Sequence, residues 1–312
     1  IGGELTYEDV TNIDSVGIIT AQSDVSIADK IIHTGDTNTA IRFPAADTFT
    51  VETNGSERIR VNNAGKVGFG DNDPNVPVNI KGAPTNFAGI DIHLKLEDTT
   101  SLAADVGGML AFEGVYTSGD AEAVWSAIHG GKENATDGNY AGYFRVLTRP
   151  NGGLPTERFR VDSSGRLLVG TTSNSSPGGF DAKIQTASTS YDGSITLRRD
   201  SDNTGAQSLA FGKSRGSLGG NTIVQSGDKL GTIDFYGADG TDLNTIGAQI
   251  AVEVDGTPGS NDMPGRLVLK TTADGAASAT ERLRITSTGG VHFSNAELIE
   301  RVNIVANKLS AV

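Results

Sequence analysis

Three short stretches of the chain alternate charged and apolar residues in the same way. They read SERIRVNNAGKVGFG from Ser56, TERFRVDSSGRLLVGTT from Thr156 and TERLRITSTGGVHFS from Thr280. Successive side chains of a strand point to opposite faces. In the second stretch Phe159 and Val161 therefore share one face, and Arg158 and Arg160 the other. Asp162-Ser163-Ser164-Gly165 follows as a cluster of turn residues, and Leu167 and Val169 again fall two apart. The pattern predicts a β-hairpin with one apolar face.

The other stretches keep that face. Its positions are Ile59, Val61, Val67 and Phe69 in the first and Leu283, Ile285, Val291 and Phe293 in the third. Gly65, Gly165 and Gly289 occupy one point of the turn, where a positive φ is expected. The pairs Arg58/Arg60, Arg158/Arg160 and Arg282/Arg284 are expected on the opposite face, as solvated strand surface paired locally with Glu57, Glu157 and Glu281. An anionic-ligand site is the alternative for them.

The repetition extends beyond the hairpins. Gly108–Gly114 matches Gly231–Gly237, and Gly142–Thr148 matches Gly265–Thr271, each at an offset of 123 residues. These matches divide the chain into an N-terminal segment, 1–27, and three β modules. The modules are 28–76 ending in hairpin 57–70, 77–176 ending in hairpin 157–170, and 177–294 ending in hairpin 281–294. The third duplicates the second. Polar linkers with Pro and Gly, Asp71–Asn75 and Thr171–Gly179, separate them and are expected to interrupt strand pairing.

The ends follow a different period. Val10, Ile13 and Val16 recur every three residues, which allows a short helical turn. Ser294–Glu297 has the capping-box spacing, and Leu298, Val302, Val305 and Leu309 behind it form an a/d stripe. Residues 295–312 thus suit a lone amphipathic helix or, because two turns alone are marginal in water, a short coiled coil between chains. A strand over RVNIVANKL is a third reading. The fold class expected from these patterns is all-β: an elongated repeat of small modules and hairpins, with short helical (coiled-coil) segments at the ends.

Composition narrows this further. Of 312 residues only 6% are aromatic and 41 are Gly, so one chain has little with which to build a thick core. That points to thin β layers or to a core shared among chains. The net charge of −13 repels phosphate backbones, so no nucleic-acid partner is expected. Cysteine is absent, so stability must come from packing and association. No apolar run reaches 18 residues, so no membrane insertion is expected. The chain begins at Ile1, as a fragment or trimmed chain would.

Candidate chemistry is sparse. None of His33, His93, His129 and His292 has a neighbour at zinc-ligand spacing. His93 and His292 lie in alternating strand patterns and are expected to be structural. Gly212-Lys213-Ser214-Arg215-Gly216 has the spacing of a nucleophile elbow, but SLGGNTIVQSGD follows where a long helix is required. Asp71 and Asp73 could touch a cation, but no complete Ca²⁺ loop follows, and a solvated linker is the better reading. Sugar-cleaving sites usually stack sugars on aromatic rings, and Trp125 is the sole Trp. No enzyme activity, metal or cofactor is expected.

The units TERFRVDSSGRLLVGTT and TERLRITSTGGVHFS resemble repeats of tail-fibre and other virion fibre proteins of tailed bacteriophages, closest to those of phages infecting cyanobacteria. Residues 6–22, 28–61 and 229–285 resemble further segments of such proteins. The resemblance implies a homotrimer with three chains side by side along one axis. It implies a virion location and a shaft linking the particle to a host-recognition tip. The partners implied are the chain itself, other tail or baseplate proteins, and a host-surface glycan or protein met through a distal region. Many relatives end in a self-cleaving chaperone domain, which no stretch here resembles, so a distal tip beyond Val312 is an expectation. The twelve hairpin positions and the four stripe residues are the expected trimer-packing set. A tailspike-type fibre that degrades polysaccharide, or a bacterial surface adhesin, is the alternative.

Overall fold

The computed structural model describes residues 18, 20–87 and 89–294, and the chain divides into two compact units, Ile1–Lys95 and Leu96–Val312. Among the described residues every regular element is a strand or a three-residue 3-10 turn, which makes the protein all-β. The N-terminal helical turn and the stripe of Leu298, Val302, Val305 and Leu309 lie outside the described residues.

The first unit holds one mixed sheet. Its strands are β1 (Lys30–His33), β2 (Asp36–Ala45), β3 (Thr48–Thr53), β4 (Ser56–Val61), β5 (Val67–Phe69) and β6 (Val78–Ile80), neighbours in chain order. A two-stranded ribbon follows, β7 (Thr85–Phe87) with β8 (Ile90–Ile92). Local chemistry sets the turns. Asn54 and Gly55 join β3 to β4 with φ of 52° and 66°. A two-residue turn with positive φ at both positions matches the twist of the strands it joins, and Asn-Gly tolerates it.

The second unit repeats this plan in two sheets. One has β9 (Met109–Val115), β10 (Glu122–Lys132), β11 (Gly142–Thr148), β12 (Thr156–Val161), β13 (Leu167–Val169) and β14 (Ile184–Thr186), again in sequential order. The other has β15 (Lys229–Gly237), β16 (Thr245–Val254), β17 (Gly265–Thr271), β18 (Thr280–Ile285) and β19 (Val291–Phe293). The turn at Pro177–Gly179 ties them, because the Gly178 amide donates to the Leu243 carbonyl at 3.1 Å.

The three predicted hairpins are β4–β5, β12–β13 and β18–β19, each the end of a larger sheet rather than a free ribbon. Their turns are alike: Gly65, Gly165 and Gly289 have φ of 73°, 70° and 83°, and each amide donates to the carbonyl three residues back.

The linkers correct an expectation. Strand pairing resumes directly behind both of them, because β6 and β14 return parallel to β5 and β13. The loops between them fold over the sheet. Asp71 is buried and pairs with Lys81 at 3.1 Å, so it is no solvated linker residue. In the second sheet the Ser175 amide donates to the Gln185 side chain at 2.8 Å, above buried Leu168.

Large buried side chains are few. Leu168, Val254, Val268 and Thr50 are the largest with almost no exposure. Leu168, Val268 and Thr50 sit opposite Arg160, Arg284 and Arg60 in the ladders. Three of these four therefore lie on the Arg-bearing face, while Val254, at the end of β16, shares the side of Ile250 and Val252.

Candidate assembly face

The ladders draw the apolar positions into continuous rows. In the first sheet Ile31, Ile41, Val51, Ile59, Phe69 and Ile80 stand side by side across six strands. In the second the row is Leu110, Ile128, Val146, Phe159 and Val169. In the third it is Ile233, Ile250, Leu269, Leu283 and Phe293. A second row runs beside each, through Val61 and Val67, through Val161 and Leu167, and through Ile285 and Val291. All twelve predicted hairpin positions thus fall on one face of their sheets.

Among the described residues that face is left largely uncovered. Phe69 keeps 43% of its surface exposed and Val291 55%, and Phe43, Phe112, Phe144 and Phe235 on the three sheets are similarly open. Fully burying a Val, Leu, Ile or Phe side chain is worth about 1.5–3 kcal/mol. A row of half-exposed ones leaves a large part of that gain unrealised. Contiguous exposed apolar surface on this scale marks an interaction face.

The opposite face carries ion pairs, and here the alternation reading needs correction. The ladder slips by one residue at Val51/Glu52, Val146/Leu147 and Leu269/Lys270, so Arg58, Arg158 and Arg282 are each the extra residue of a bulge. A bulge restores Glu57 and Arg60 to the same face despite their odd spacing. Arg60 meets Glu57 at 2.6 Å, Arg160 meets Glu157 at 2.5 Å and Arg284 meets Glu281 at 2.7 Å. The first Arg of each pair does something else. Nε of Arg58, Arg158 and Arg282 donates to Thr53, Thr148 and Thr271 at 2.9, 2.5 and 2.9 Å. Every Arg of the three pairs thus has a partner within its own chain.

Sequence reasoning missed the polar layer across the neighbouring strands. His129, Tyr143, Arg145 and Arg160 line up on β10, β11 and β12. Arg145 donates to His129 Nδ1 at 3.0 Å and also approaches Glu157 at 3.4 Å. The Arg160 guanidinium lies 4.3 Å from the centre of the Tyr143 ring. Tyr143 donates to Asp105, and burial together with that carboxylate pushes its hydroxyl up to about 12. Burial and the adjacent Arg145 hold His129 below its ordinary value. Burial pushes Glu157 upward, but Arg160 and Arg145 outweigh it and hold the carboxylate below its ordinary range. In the third sheet Arg266 meets Glu253 at 2.8 Å and Asp255 at 3.2 Å, while Lys270 meets Glu253 at 3.3 Å. These charges pair among themselves across neighbouring strands and brace the sheets.

The other candidates stand apart. Ser214 Oγ donates to the carbonyls of Arg215 and Thr222, at 3.0 and 3.2 Å. His93 meets the Gly82 carbonyl at 2.9 Å, and His292 is the central residue of β19. Among the described residues no cluster of three metal-ligating side chains occurs.

No family model matches the sequence, and no curated protein matches it. Solved structures do. The chain is similar to the carboxy-terminal domain of the bacteriophage T5 L-shaped tail fibre with its intramolecular chaperone domain, at TM-score 0.50 and 20% identity. The alignment covers 69% of this chain and 62% of that one. A second structure of that domain matches at TM-score 0.47 and 20% identity, over 69% of this chain and 91% of the other. The likeness is one of fold.

Proposed function

We propose that this chain is the structural shaft of a homotrimeric bacteriophage fibre, a tail fibre by default. It sits on the virion, joins other tail or baseplate proteins and carries a host-recognition tip that contributes to attachment. The observation that carries this reading is the uncovered apolar face repeated on all three sheets. The described residues of one chain leave it open, and three copies around one axis can close each sheet's face against its neighbours. Stacked modules that each need their neighbours are the economy of repeat proteins. The tail-fibre fold likeness supports the same assignment, as do the repeats that resemble those of cyanobacterial phages. The face and its ion-paired reverse favour a role in assembly over one in catalysis.

Light scattering coupled to size exclusion tests it. The expected mass is three times the 32.3 kDa of one chain. A monodisperse single chain would overturn the proposal.

A further inference from the structure

Residues 194–213 read SITLRRDSDNTGAQSLAFGK. Ile195 and Leu197 alternate with Thr196 and Arg198, Leu209 and Phe211 alternate with Ser208 and Ala210, and turn residues lie between the two arms. This is a strand–turn–strand pattern. The turn is built: the Gly205 amide and the Arg199 guanidinium both donate to Asn203 Oδ1 at 3.0 Å. Yet residues 195–214 make no backbone-to-backbone hydrogen bond among the described residues, and no strand includes them.

Two facts make this arrangement incomplete. Backbone donors and acceptors are obligatory hydrogen-bonding groups, and a structureless stretch this long is uncommon inside a compact unit. The arms also hold Ile195 and Leu209 72% and 67% exposed. Close by in sequence, β15 has a free outer edge among the described residues, where its one ladder partner is β16. That edge is long, holds no Pro and carries only Lys229 and Asp234 as charges. Natural sheets protect such edges.

The chain does not use its own arms for this purpose. Phe211 lies against Gly231 of its own β15, where no Cβ intervenes, and joins Ile233, Ile250 and Val252 in lining an apolar groove. Gly231 stands opposite Val252 on the apolar face. The arms therefore leave the sheet on the side that assembly presents to another copy.

We infer that Ser194–Arg199 and Gln207–Ala210 are strands of the assembled protein, added to the free edge of β15 in a neighbouring copy of the chain, with Phe211 kept on its own sheet where the second arm returns. The inference rests on the trimer reading and deepens it, from faces pressed together to sheets completed in trans. Side-chain alternation sets which residues turn inward: Ile195, Leu197 and Leu209 would meet the partner's apolar face.

The absence of cysteine makes the test clean. A Leu209→Cys chain bearing a photoreactive maleimide is refolded as an equal mixture of isotopically heavy and light protein, irradiated and digested. Peptides crosslinking residue 209 to 229–237 should include heavy–light hybrids. Exclusively heavy–heavy and light–light pairs would place the arms on their own chain and overturn the inference. In the unmodified trimer the amides of 195–199 and 207–210 should exchange about 100-fold slower than in a Leu197→Pro chain, as paired amides do. A protein of trimeric mass whose arm amides exchange freely overturns this inference alone. A protein of single-chain mass overturns the trimer reading with it.

Discussion

Thr50 shows what the polar face asks of a single residue. Its Oγ1 is a fully buried side-chain oxygen with no hydrogen-bond partner. The ladder sets it opposite Arg60, in the place that Arg145 takes opposite Arg160 and Val268 opposite Arg284. The third sheet therefore already carries the apolar solution. Leaving a buried polar group unsatisfied costs about 1–3 kcal/mol. Thr50→Val, of the same shape, is expected to raise unfolding stability by about 1 kcal/mol, read from denaturant or thermal unfolding. A loss of stability would show that the hydroxyl has a partner in the assembly. Two groups also tie stability to pH. His129 is held below its ordinary 6.5, so its contribution is complete above that value and fades as pH falls through the lower folded value. Glu157, held below 4.5 by Arg160 and Arg145 against the effect of burial, loses its contribution at still lower pH. The melting temperature should be level near neutrality and fall in two stages on acidification, with the first stage abolished in His129→Gln. A single stage in the parent protein would remove His129 from this account. Such groups escaped sequence reading because register, not spacing, brings His129 beside Arg145. The Glu157–Arg160 pair was legible, since both residues lie in one short strand.

Elements were legible where the period of two runs unbroken. Phe159, Val161, Leu167 and Val169 announce their face directly. The bulge at Arg158 did not announce itself, because Glu157-Arg158-Phe159-Arg160 reads as plain alternation and only the partner strand reveals the extra residue. The returning strands were hidden too. Each is three residues long, and the Pro- and Gly-bearing loops before them argue for a break. One signal was available in hindsight: the glycine that ends the hairpin. Gly70 and Gly170 have φ of 68° and 73° and donate to the carbonyls of Arg58 and Arg158. A Cβ on Gly170 would lie 2.5 Å from the Ala187 carbonyl oxygen of the returning segment. Gly170→Val combines that clash with a left-handed backbone costing roughly 1–2 kcal/mol. The expected outcome is release of β14, seen as faster amide exchange at 184–186. Unchanged exchange there would show that the segment is held by something other than this close approach.

At the scale of the whole molecule the two faces of each sheet should respond differently to mutation. Phe159→Asp places a carboxylate in the proposed seam with no partner, and burying an unpaired charge is far costlier than losing contacts. Sedimentation velocity should show such chains falling from trimer toward single chains. Arg158→Ala, on the bulge, removes only exposed hydrogen bonds to the Thr148 hydroxyl and carbonyl and should leave the mass unchanged. Equal loss of trimer in both variants would remove the distinction between the faces. Each copy also carries a net charge of −13, so approach of like copies is opposed over the screening length. Assembly from refolded chains is expected to quicken as salt is raised, which stopped-flow scattering would follow.

The glycine behind the hairpin also bears on how a protein of this kind acquires its length. After the first two hairpins it admits a returning strand, and the chain goes on to another sheet. After the third, Ser294 holds that place, its amide on the Arg282 carbonyl at 3.1 Å. Glycine is in effect a joint at which a further unit of about 123 residues can be spliced, bringing its own seam and its own ion pairs. Lineages could lengthen such a chain by copying a whole module at that joint, without redesigning any contact.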